Sequence, residues 1–360
     1  MSASKKTPLH DVHVELDATL VDFAGYAMPL RYAGETVEHR AVRTSAGLFD
    51  LSHMGEIFLS GPQAGAALDH ALVGEISALA VGRARYTMIC NPAGGVLDDL
   101  IVYRLADETF MVVANAANAA TVLAELLDRA AGFDTVVTDR SAEYALIALQ
   151  GPRAQEILAG FTDAPLADLR YYAIMDGVVA GADALLARTG YTGEDGFELF
   201  VSAGDAVPLW RALAGVEGVT PAGLSARDTL RLEAGMPLYG NELTTETTPY
   251  EAGLGRVVKL GKPGDFVGKE ALTALSRTPP GRTLVGLVAR GRRAPRQGYA
   301  VVTSDGTPCG AVTSGAPSPT LGTPIAMAYL DAGHSGELAV DVRGRQEPVD
   351  VVALPFYKRS

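Results

Sequence analysis

The chain has 360 residues, which is enough for two or three compact units. Its 42 acidic residues against 30 basic ones give a net charge of -12, which argues against a nucleic-acid partner, because phosphate binding needs a concentrated positive surface. The absence of an apolar run of about 18 residues predicts no membrane partner. The N-terminus lacks a signal-peptide pattern, and Cys90 and Cys309 have no metal-type spacing, so we expect a cytoplasmic protein without a metal site.

The first part of the chain alternates helical and extended patterns. Apolar periodicity and glycine or proline breaks define its segments. Asn91-Pro92-Ala93-Gly94-Gly95 is typical of a tight turn between two strands. The predicted segments are a strand at 19–23, helices at 35–46 and 63–72, strands at 54–59, 86–90, 96–104 and 109–114, and a helix within 114–130.

The middle of the chain continues this mixture. A strand at 144–150 is followed by Pro152, which is suited to the first turn of a helix with an apolar stripe reaching Phe161. Strand patterns follow within 178–189 and at 196–201. Asp205 is a candidate N-cap, and Ser225 with Asp228 has the spacing of a capping box for a helix ending near residue 234.

The last part of the chain has a different, strand-rich pattern. Thr278-Pro279-Pro280-Gly281 is a candidate linker. Beyond it, apolar runs separated by turn residues predict a small antiparallel barrel or sandwich, so the fold class is α+β with a C-terminal β module. The predicted strands are 283–289, 299–303, 310–313, 325–330, 338–342 and 348–354.

Two adjacent carboxylates open the strand that begins at residue 96. In a strand, Asp98 and Asp99 point to opposite faces, and each face is otherwise mostly apolar. Burying an ionised carboxylate without a partner costs several kcal/mol. For Asp98 a structural pairing is favoured, whereas Asp99 is the candidate for proton handling.

The glycine-rich segment from Arg188 to Glu198 is a candidate ligand loop. Its glycines permit close backbone approach to a ligand, but their spacing fits neither a dinucleotide-binding loop nor a P-loop. Glu198 lies in an apolar strand, where its carboxylate could accept two N–H groups from a planar, amidine-like edge. The alternative is a glutamate at a strand edge in solvent.

Two arginines mark a possible anion site. Arg227 lies in the first turn of its predicted helix, where the helix dipole disfavours a cation, and Arg231 is one turn further on the same face. The arrangement indicates a bound anion or, alternatively, a salt bridge between domains. His53 and Met54 are candidates to line a pocket, although an isolated histidine is more often structural.

These segments, in this order, resemble the aminomethyltransferase (T-protein) family of the glycine cleavage system. The resemblance runs from residue 7 to about residue 357, and all of its pieces are in register. Tyr26 departs from it, because the family usually has tryptophan there. The matching pieces are 7–10, 21–25, 28–30, 41–43, 49–55, 94–102, 149–152, 189–198, 226–228, 231–235, 266–272, 313–315 and 318–322.

The resemblance implies a three-domain cloverleaf around a central tetrahydrofolate site. Its domains would be 1–50 with 141–275 (folate-binding), 51–140 (an inserted α+β domain) and 276–360 (the barrel). The family transfers a one-carbon unit from aminomethyl-lipoyl H-protein to tetrahydrofolate, a co-substrate, without metal or flavin. The implied partners are lipoylated H-protein and, loosely associated, the decarboxylase and lipoamide dehydrogenase of the same system.

The resemblance also implies roles for individual residues. Asp99 matches the family's key aspartate, Glu198 its pterin-binding glutamate and Arg227 its substrate-binding arginine. The remaining positions would line the pterin site. They are Met54, Tyr103, Asn115, Tyr171 and Tyr191.

Two other functions remain open at this stage. The first is a stand-alone tetrahydrofolate-dependent demethylase of the same fold, and the second is a non-catalytic folate-binding protein. If H-protein is acidic, its docking needs a local basic surface. The candidate residues are Arg282, Arg290, Arg292, Arg293 and Arg296.

Overall fold

The computed structural model describes residues 4–333 and 336–359. The chain forms two compact units. The first comprises Met1–Ala71, Glu75–Thr87 and Leu100–Arg227, and the second comprises Leu72–Gly74, Met88–Asp99 and Asp228–Ser360. The three-domain division stays a prediction. No helix among the described residues is long and apolar enough to cross a membrane.

A six-stranded sheet forms the centre of the first unit, in the order β10-β11-β12-β9-β3-β13. Helices pack on one face of it, and Trp210 and Leu213 are among their fully buried side chains. The central strands are mostly apolar and buried, and Gln150 and Glu198 are buried polar side chains within them. In chain order the strands are β3 (Ala46–Asp50), β9 (Tyr144–Gln150), β10 (Ile174–Val179), β11 (Ala182–Ala187), β12 (Gly196–Ser202) and β13 (Val219–Pro221).

Two further sheets contain the remaining strands that precede the barrel. β1 (Thr19–Phe23) and β2 (Tyr26–Arg31) form a hairpin closed by Ala24 and Gly25, both with positive φ, as a two-residue turn requires. A five-stranded sheet has the order β5-β6-β7-β4-β8. Its strands are β4 (Gly55–Ser60), β5 (Ala84–Cys90), β6 (Val96–Ala106), β7 (Thr109–Ala114) and β8 (Val136–Asp139).

The helices are short and lie between the strands. Short 3-10 segments occur at Ser141–Glu143, Ala203–Asp205 and Gly255–Val257. The α-helices are α1 (His10–Glu15), α2 (Glu35–Thr44), α3 (Ala64–Ala71), α4 (Ala119–Arg129), α5 (Ala154–Leu158), α6 (Ala206–Ala214), α7 (Leu224–Glu233) and α8 (Lys269–Leu275).

A closed antiparallel barrel occupies the C-terminal part of the second unit, in the order β14-β17-β16-β15-β18-β19. Each of the six strands predicted there overlaps an observed strand, so the α+β class with a C-terminal barrel is confirmed. The barrel strands are β14 (Arg282–Ala289), β15 (Ala300–Thr303), β16 (Pro308–Pro317), β17 (Pro324–Asp331), β18 (Leu338–Asp341) and β19 (Gln346–Val352).

The predicted helix starts differ from the observed ones. The capping box at Ser225 is wrong, because α7 already begins at Leu224. Gly223 lies directly before it, donates its N–H to Glu38 Oε2 at 2.9 Å and packs against the backbone of Leu30, where a Cβ would not fit. This tertiary contact sets the start of the helix. Similarly, α5 begins after Pro152 and ends before Phe161.

Candidate functional site

Glu198 is the centre of a buried hydrogen-bonded group in the first unit. It lies in β12 opposite Ala148 of β9 and is 8% exposed, so it is not a strand-edge glutamate in solvent. The hydroxyl groups of Thr189 and Tyr103 both donate to its Oε2, the second at 3.4 Å. The two hydroxyl oxygens are 3.0 Å apart. The Oε2 atom of the carboxylate is therefore held by two donors from the protein itself.

Burial and charge oppose each other at this carboxylate. Burial raises the pKa of Glu198, while the Thr189 hydroxyl, the positive charge of Arg227 and the Tyr103 hydroxyl lower it. The pKa of Tyr103 is raised well above its usual value by burial and by the charge of Glu198. Tyr103 therefore stays protonated and serves as a hydrogen-bond donor.

Arg227 stands next to this group. Its guanidinium carbon is 4.7 Å from the ring centroid of Tyr191, within the range of a cation–π contact. Its positive charge also lowers the pKa of both Glu198 and His53. The structure thus brings together five residues singled out from the sequence, although their roles stay predictions. They are His53, Tyr103, Tyr191, Glu198 and Arg227.

The glycines of the loop approach a buried glutamine, which the sequence interpretation missed. A Cβ on Gly190 would lie 2.0 Å from Gln150 Oε1, and one on Gly196 would lie 2.5 Å from Gln150 Nε2. Gln150 Nε2 donates to the Thr189 carbonyl at 3.0 Å, and its Oε1 accepts from Thr192 Oγ1 at 3.0 Å. These two glycines thus make room for the side chain that holds the loop.

Ion pairs hold the same loop from both sides. Arg43 contacts Glu194 Oε1 at 2.9 Å and the Thr192 carbonyl at 2.7 Å, and this pair is almost fully buried. Arg188 binds Asp195 through two guanidinium nitrogens, Nε at 3.0 Å and Nη2 at 2.5 Å. The Thr189 hydroxyl is therefore held at Glu198 by a preorganised loop.

Two adjacent tyrosines lie near the group in different environments. Tyr171 is 46% exposed, and its ring meets that of Tyr172 edge to face at 4.9 Å. Tyr172 also contributes to raising the pKa of Tyr103, after burial and the charge of Glu198. Its φ of 57° is strained for a bulky side chain, and such strain is concentrated at functional sites. The role of Tyr171 in ligand binding stays a prediction, and Tyr172 is a further candidate for a ligand-binding residue.

The loop between β3 and β4 carries His53 and Met54. His53 is 3% exposed, and burial together with the charge of Arg227 lowers its pKa to about 4, against the opposing charge of Asp50. Met54 is half-buried beside it. Asn115 directly follows β7 and is also half-buried. The predicted roles of Met54 and Asn115 in ligand binding stay predictions.

Asp98 and Asp99 belong to the second unit and have different environments. Asp98 is completely buried and Asp99 is half-buried, as their alternation along β6 predicts. The pKa of Tyr239 is raised chiefly by the burial of its hydroxyl group, and the negative charges of Asp98 and Asp99 raise it further. Tyr239 is thus a phenol close to both carboxylates, which no sequence pattern indicated.

Arg231 has its positive charge compensated inside the second unit. It is 1% exposed and contacts Asp228 at 2.7 Å, Glu242 at 2.8 Å and the Ser314 hydroxyl at 2.7 Å. These partners make it a structural residue. The sequence suggested a bound anion or a salt bridge between domains. The structure shows that Arg231 forms salt bridges, but these lie within one unit.

Comparison with known proteins identifies the family. The family model of the GCVT N-terminal domain matches residues 9–262, and that of the glycine cleavage T-protein C-terminal barrel domain matches residues 282–358. An aminomethyltransferase of Saccharopolyspora erythraea is 63% identical over the full length of both chains. One of Streptomyces avermitilis is 62% identical, covering 100% of this chain and 99% of its own.

A solved structure agrees in fold. The crystal structure of the glycine cleavage system aminomethyltransferase T from Bartonella henselae superimposes with a TM-score of 0.93 at 39% identity and covers 98% of both chains. The chain belongs to the aminomethyltransferase family. It is a one-carbon transferase of the glycine cleavage system.

In this aminomethyltransferase, the basic segment suggested for docking is largely neutralised within the second unit. Arg282 pairs with Glu251 at 2.9 Å, Arg290 with Asp350 at 2.7 Å, and Arg293 with Glu347 at 3.3 Å. Each partner lies in the same unit, so the charges of three of the five arginines are balanced there. These pairs weaken the argument that it forms a basic docking surface.

Proposed function

We propose that the chain transfers the one-carbon unit of aminomethyl-lipoyl H-protein to tetrahydrofolate, forming 5,10-methylenetetrahydrofolate and releasing ammonia. We also propose that the decarboxylase and lipoamide dehydrogenase of the system associate loosely with the chain, and that the chain is cytoplasmic. Membership of the aminomethyltransferase family supports the reaction class.

The single observation that supports folate binding most directly is the group around Glu198. The edge of a pterin that carries the 2-amino group and N3–H presents two donors side by side, and a fixed carboxylate is the matching acceptor. Glu198 is buried, held by Thr189 and Tyr103, and lies near the positive charge of Arg227. The same charge suits an anionic part of the folate.

The reaction needs proximity and proton transfers. N5 and N10 of tetrahydrofolate both form bonds to the methylene carbon and lose one proton each. The methylene carbon loses its bonds to nitrogen and sulfur; ammonia takes up one proton and the lipoyl sulfur takes up the other. We assign to Asp99 the orientation of the nucleophilic nitrogen and the stabilisation of the cationic character that develops on the methylene. Binding both reactants together supplies the proximity effect.

The test is turnover with purified components. Aminomethylated H-protein and tetrahydrofolate are incubated with and without the chain, and methylenetetrahydrofolate and ammonia are both measured. We expect both products in equal amounts, and only with the chain present. Binding of tetrahydrofolate without turnover would overturn the proposed donor and direct the search to methylated small molecules, as for a demethylase.

A further inference from the structure

The backbone around His53 is fixed by local hydrogen bonds. Asp50 Oδ1 accepts the N–H of Ser52 at 2.9 Å, and the N–H of Met54 bonds to the Leu51 carbonyl at 3.0 Å. Asp50 is itself held by Thr7 at 2.7 Å and by another histidine of α1. The backbone that carries His53 is therefore fixed before any ligand binds.

Two aromatic rings enclose the imidazole. The ring of Phe23 meets it edge to face at 5.4 Å, and the ring of Tyr26 lies at 6.5 Å. These two residues face each other across the tight turn of the β1–β2 hairpin. The hairpin thus supplies an aromatic clamp that restricts rotation of the imidazole.

The environment of the ring nitrogens indicates the tautomer. Nδ1 of His53 is enclosed and has no hydrogen-bond partner among the described residues. Burial keeps the ring neutral at physiological pH, so it carries a single N–H. An enclosed N–H without an acceptor is rarer in folded proteins than an unpaired acceptor. The proton therefore belongs on Nε2.

We propose that His53 is a further ligand-contacting residue, which donates its Nε2–H to an acceptor atom of bound tetrahydrofolate, a carbonyl oxygen or a ring nitrogen. The inference rests on the proposed function. The charge of Arg227 acts on His53 and on Glu198, and Arg227 contacts the ring of Tyr191, so the donor belongs to the same group of the first unit.

Two amide isosteres separate the ring nitrogens. In His53→Gln the amide nitrogen takes the place of Nε2, and in His53→Asn it takes the place of Nδ1, while both variants lose the imidazole ring. The dissociation constant for tetrahydrofolate is measured by calorimetry for wild type and both variants. We expect His53→Gln to bind within about threefold of wild type and His53→Asn about tenfold more weakly, which is the value of one hydrogen bond.

The binding constants also separate a failure of the His53 contact from a failure of the proposed function. Equal weakening in both variants would assign His53 to packing alone, and unchanged binding in both would exclude the contact; either result overturns the inference and leaves the proposed function intact. Failure of the wild type to bind tetrahydrofolate would overturn both.

A spectroscopic readout observes the wild-type protein directly. Long-range proton–nitrogen NMR spectra of the wild type, with His53→Gln used to assign the signal, report which ring nitrogen carries the proton. We expect the Nε2–H form and a shift of Nε2 on saturation with tetrahydrofolate. An Nδ1–H form, or an Nε2 signal that does not respond to the ligand, would contradict the proposal.

Discussion

Asp98 and Asp99 are adjacent carboxylates that β6 turns toward opposite faces, and only Asp99 keeps partial exposure. We expect Asp99→Asn to bind tetrahydrofolate as the wild type does and to lose turnover by about 10²- to 10⁴-fold, the usual contribution of a group that assists proton transfer. Steady-state kinetics together with a binding assay measure both quantities. A variant with wild-type kcat would refute the role of Asp99.

Asp98→Asn is the matched control for this experiment. The side chain is completely buried, so replacing its carboxylate by an amide changes the charge of an enclosed site. We expect a lower melting temperature and a kcat close to that of the wild type. The opposite pattern, a stable protein without turnover, would move the catalytic assignment to Asp98.

Glu198 is expected to act as an ionised acceptor. Glu198→Gln keeps the shape but puts an amide donor against the donors of Thr189, Tyr103 and the pterin. We therefore expect tetrahydrofolate binding to weaken about 10- to 100-fold, the range for hydrogen bonds to charged groups. Since burial raises the pKa of Glu198, wild-type binding should weaken as the pH falls through that pKa, and the variant should lack this dependence. Equal dissociation constants would exclude the contact.

The sequence indicated these carboxylates because each interrupts an otherwise apolar strand, and the physics of burial makes such interruptions costly. The residues that position Glu198 were not predictable in the same way. Thr189 and Gln150 are ordinary polar residues in their local patterns. The pairing of β9 with β12 places Gln150 against the loop, where it binds the Thr189 carbonyl, and the loop brings the Thr189 hydroxyl to the carboxylate. The proximity of Tyr239 to Asp99 depends equally on tertiary structure.

At the scale of elements, the loop before β12 depends on the fit between Gly190 and Gln150. A Cβ at residue 190 would lie 2.0 Å from Gln150 Oε1, so Gly190→Ala must displace the side chain that holds the Thr189 carbonyl. We expect a loss of about 1–3 kcal/mol in stability, typical of overpacking, and weaker tetrahydrofolate binding because Thr189 moves away from Glu198. Thermal melts and calorimetry measure the two effects.

Gly204→Ala is the control in the same unit. The nearest atom to its new Cβ would be Ser202 Oγ at 3.6 Å, an ordinary contact. We expect a change within about 0.5 kcal/mol, since glycine replacement without strain alters mainly the entropy of the unfolded chain. Similar losses for both variants would show that the contact with Gln150 is not the cause.

The barrel strands were predictable because glycine, proline and aspartate turns separate them clearly. In contrast, β2 and β3 were missed. β3 follows α2 with Ser45 between them and no helix-breaking residue, and its pairing with β9 rather than its own composition makes it a strand. α8 was missed as well, since it is short and buries only Leu272 deeply. Local patterns therefore predict elements that are separated by clear turn residues. They fail for elements whose conformation depends on pairing with a distant strand.

At the scale of the whole molecule, the stability of the chain depends on pH, because the chain carries 42 acidic residues. Most carboxylates are at the surface or paired, but Glu56 of β4 is 2% exposed and its Oε1 has no hydrogen-bond partner among the described residues. Burial and the charge of Asp139 raise its pKa well above the model-compound value of 4.5. The folded state thus binds a proton there more tightly than the unfolded state does.

The sign of the pH dependence follows from this difference in proton binding. Between pH 4.5 and the higher pKa of the folded state, the folded chain holds more protons, so the contribution of Glu56 to stability falls as the pH rises. Glu56→Gln removes that titration. We expect the variant to gain stability relative to the wild type with rising pH, by about 1–3 kcal/mol at pH 8, the cost of a buried polar group left unsatisfied.

The control is Glu270→Gln, which replaces an exposed carboxylate on α8 and should show no such gain. Melting temperatures from pH 5 to about pH 9 measure the effect, and a Glu56→Gln difference that stays constant across this range would refute the assignment.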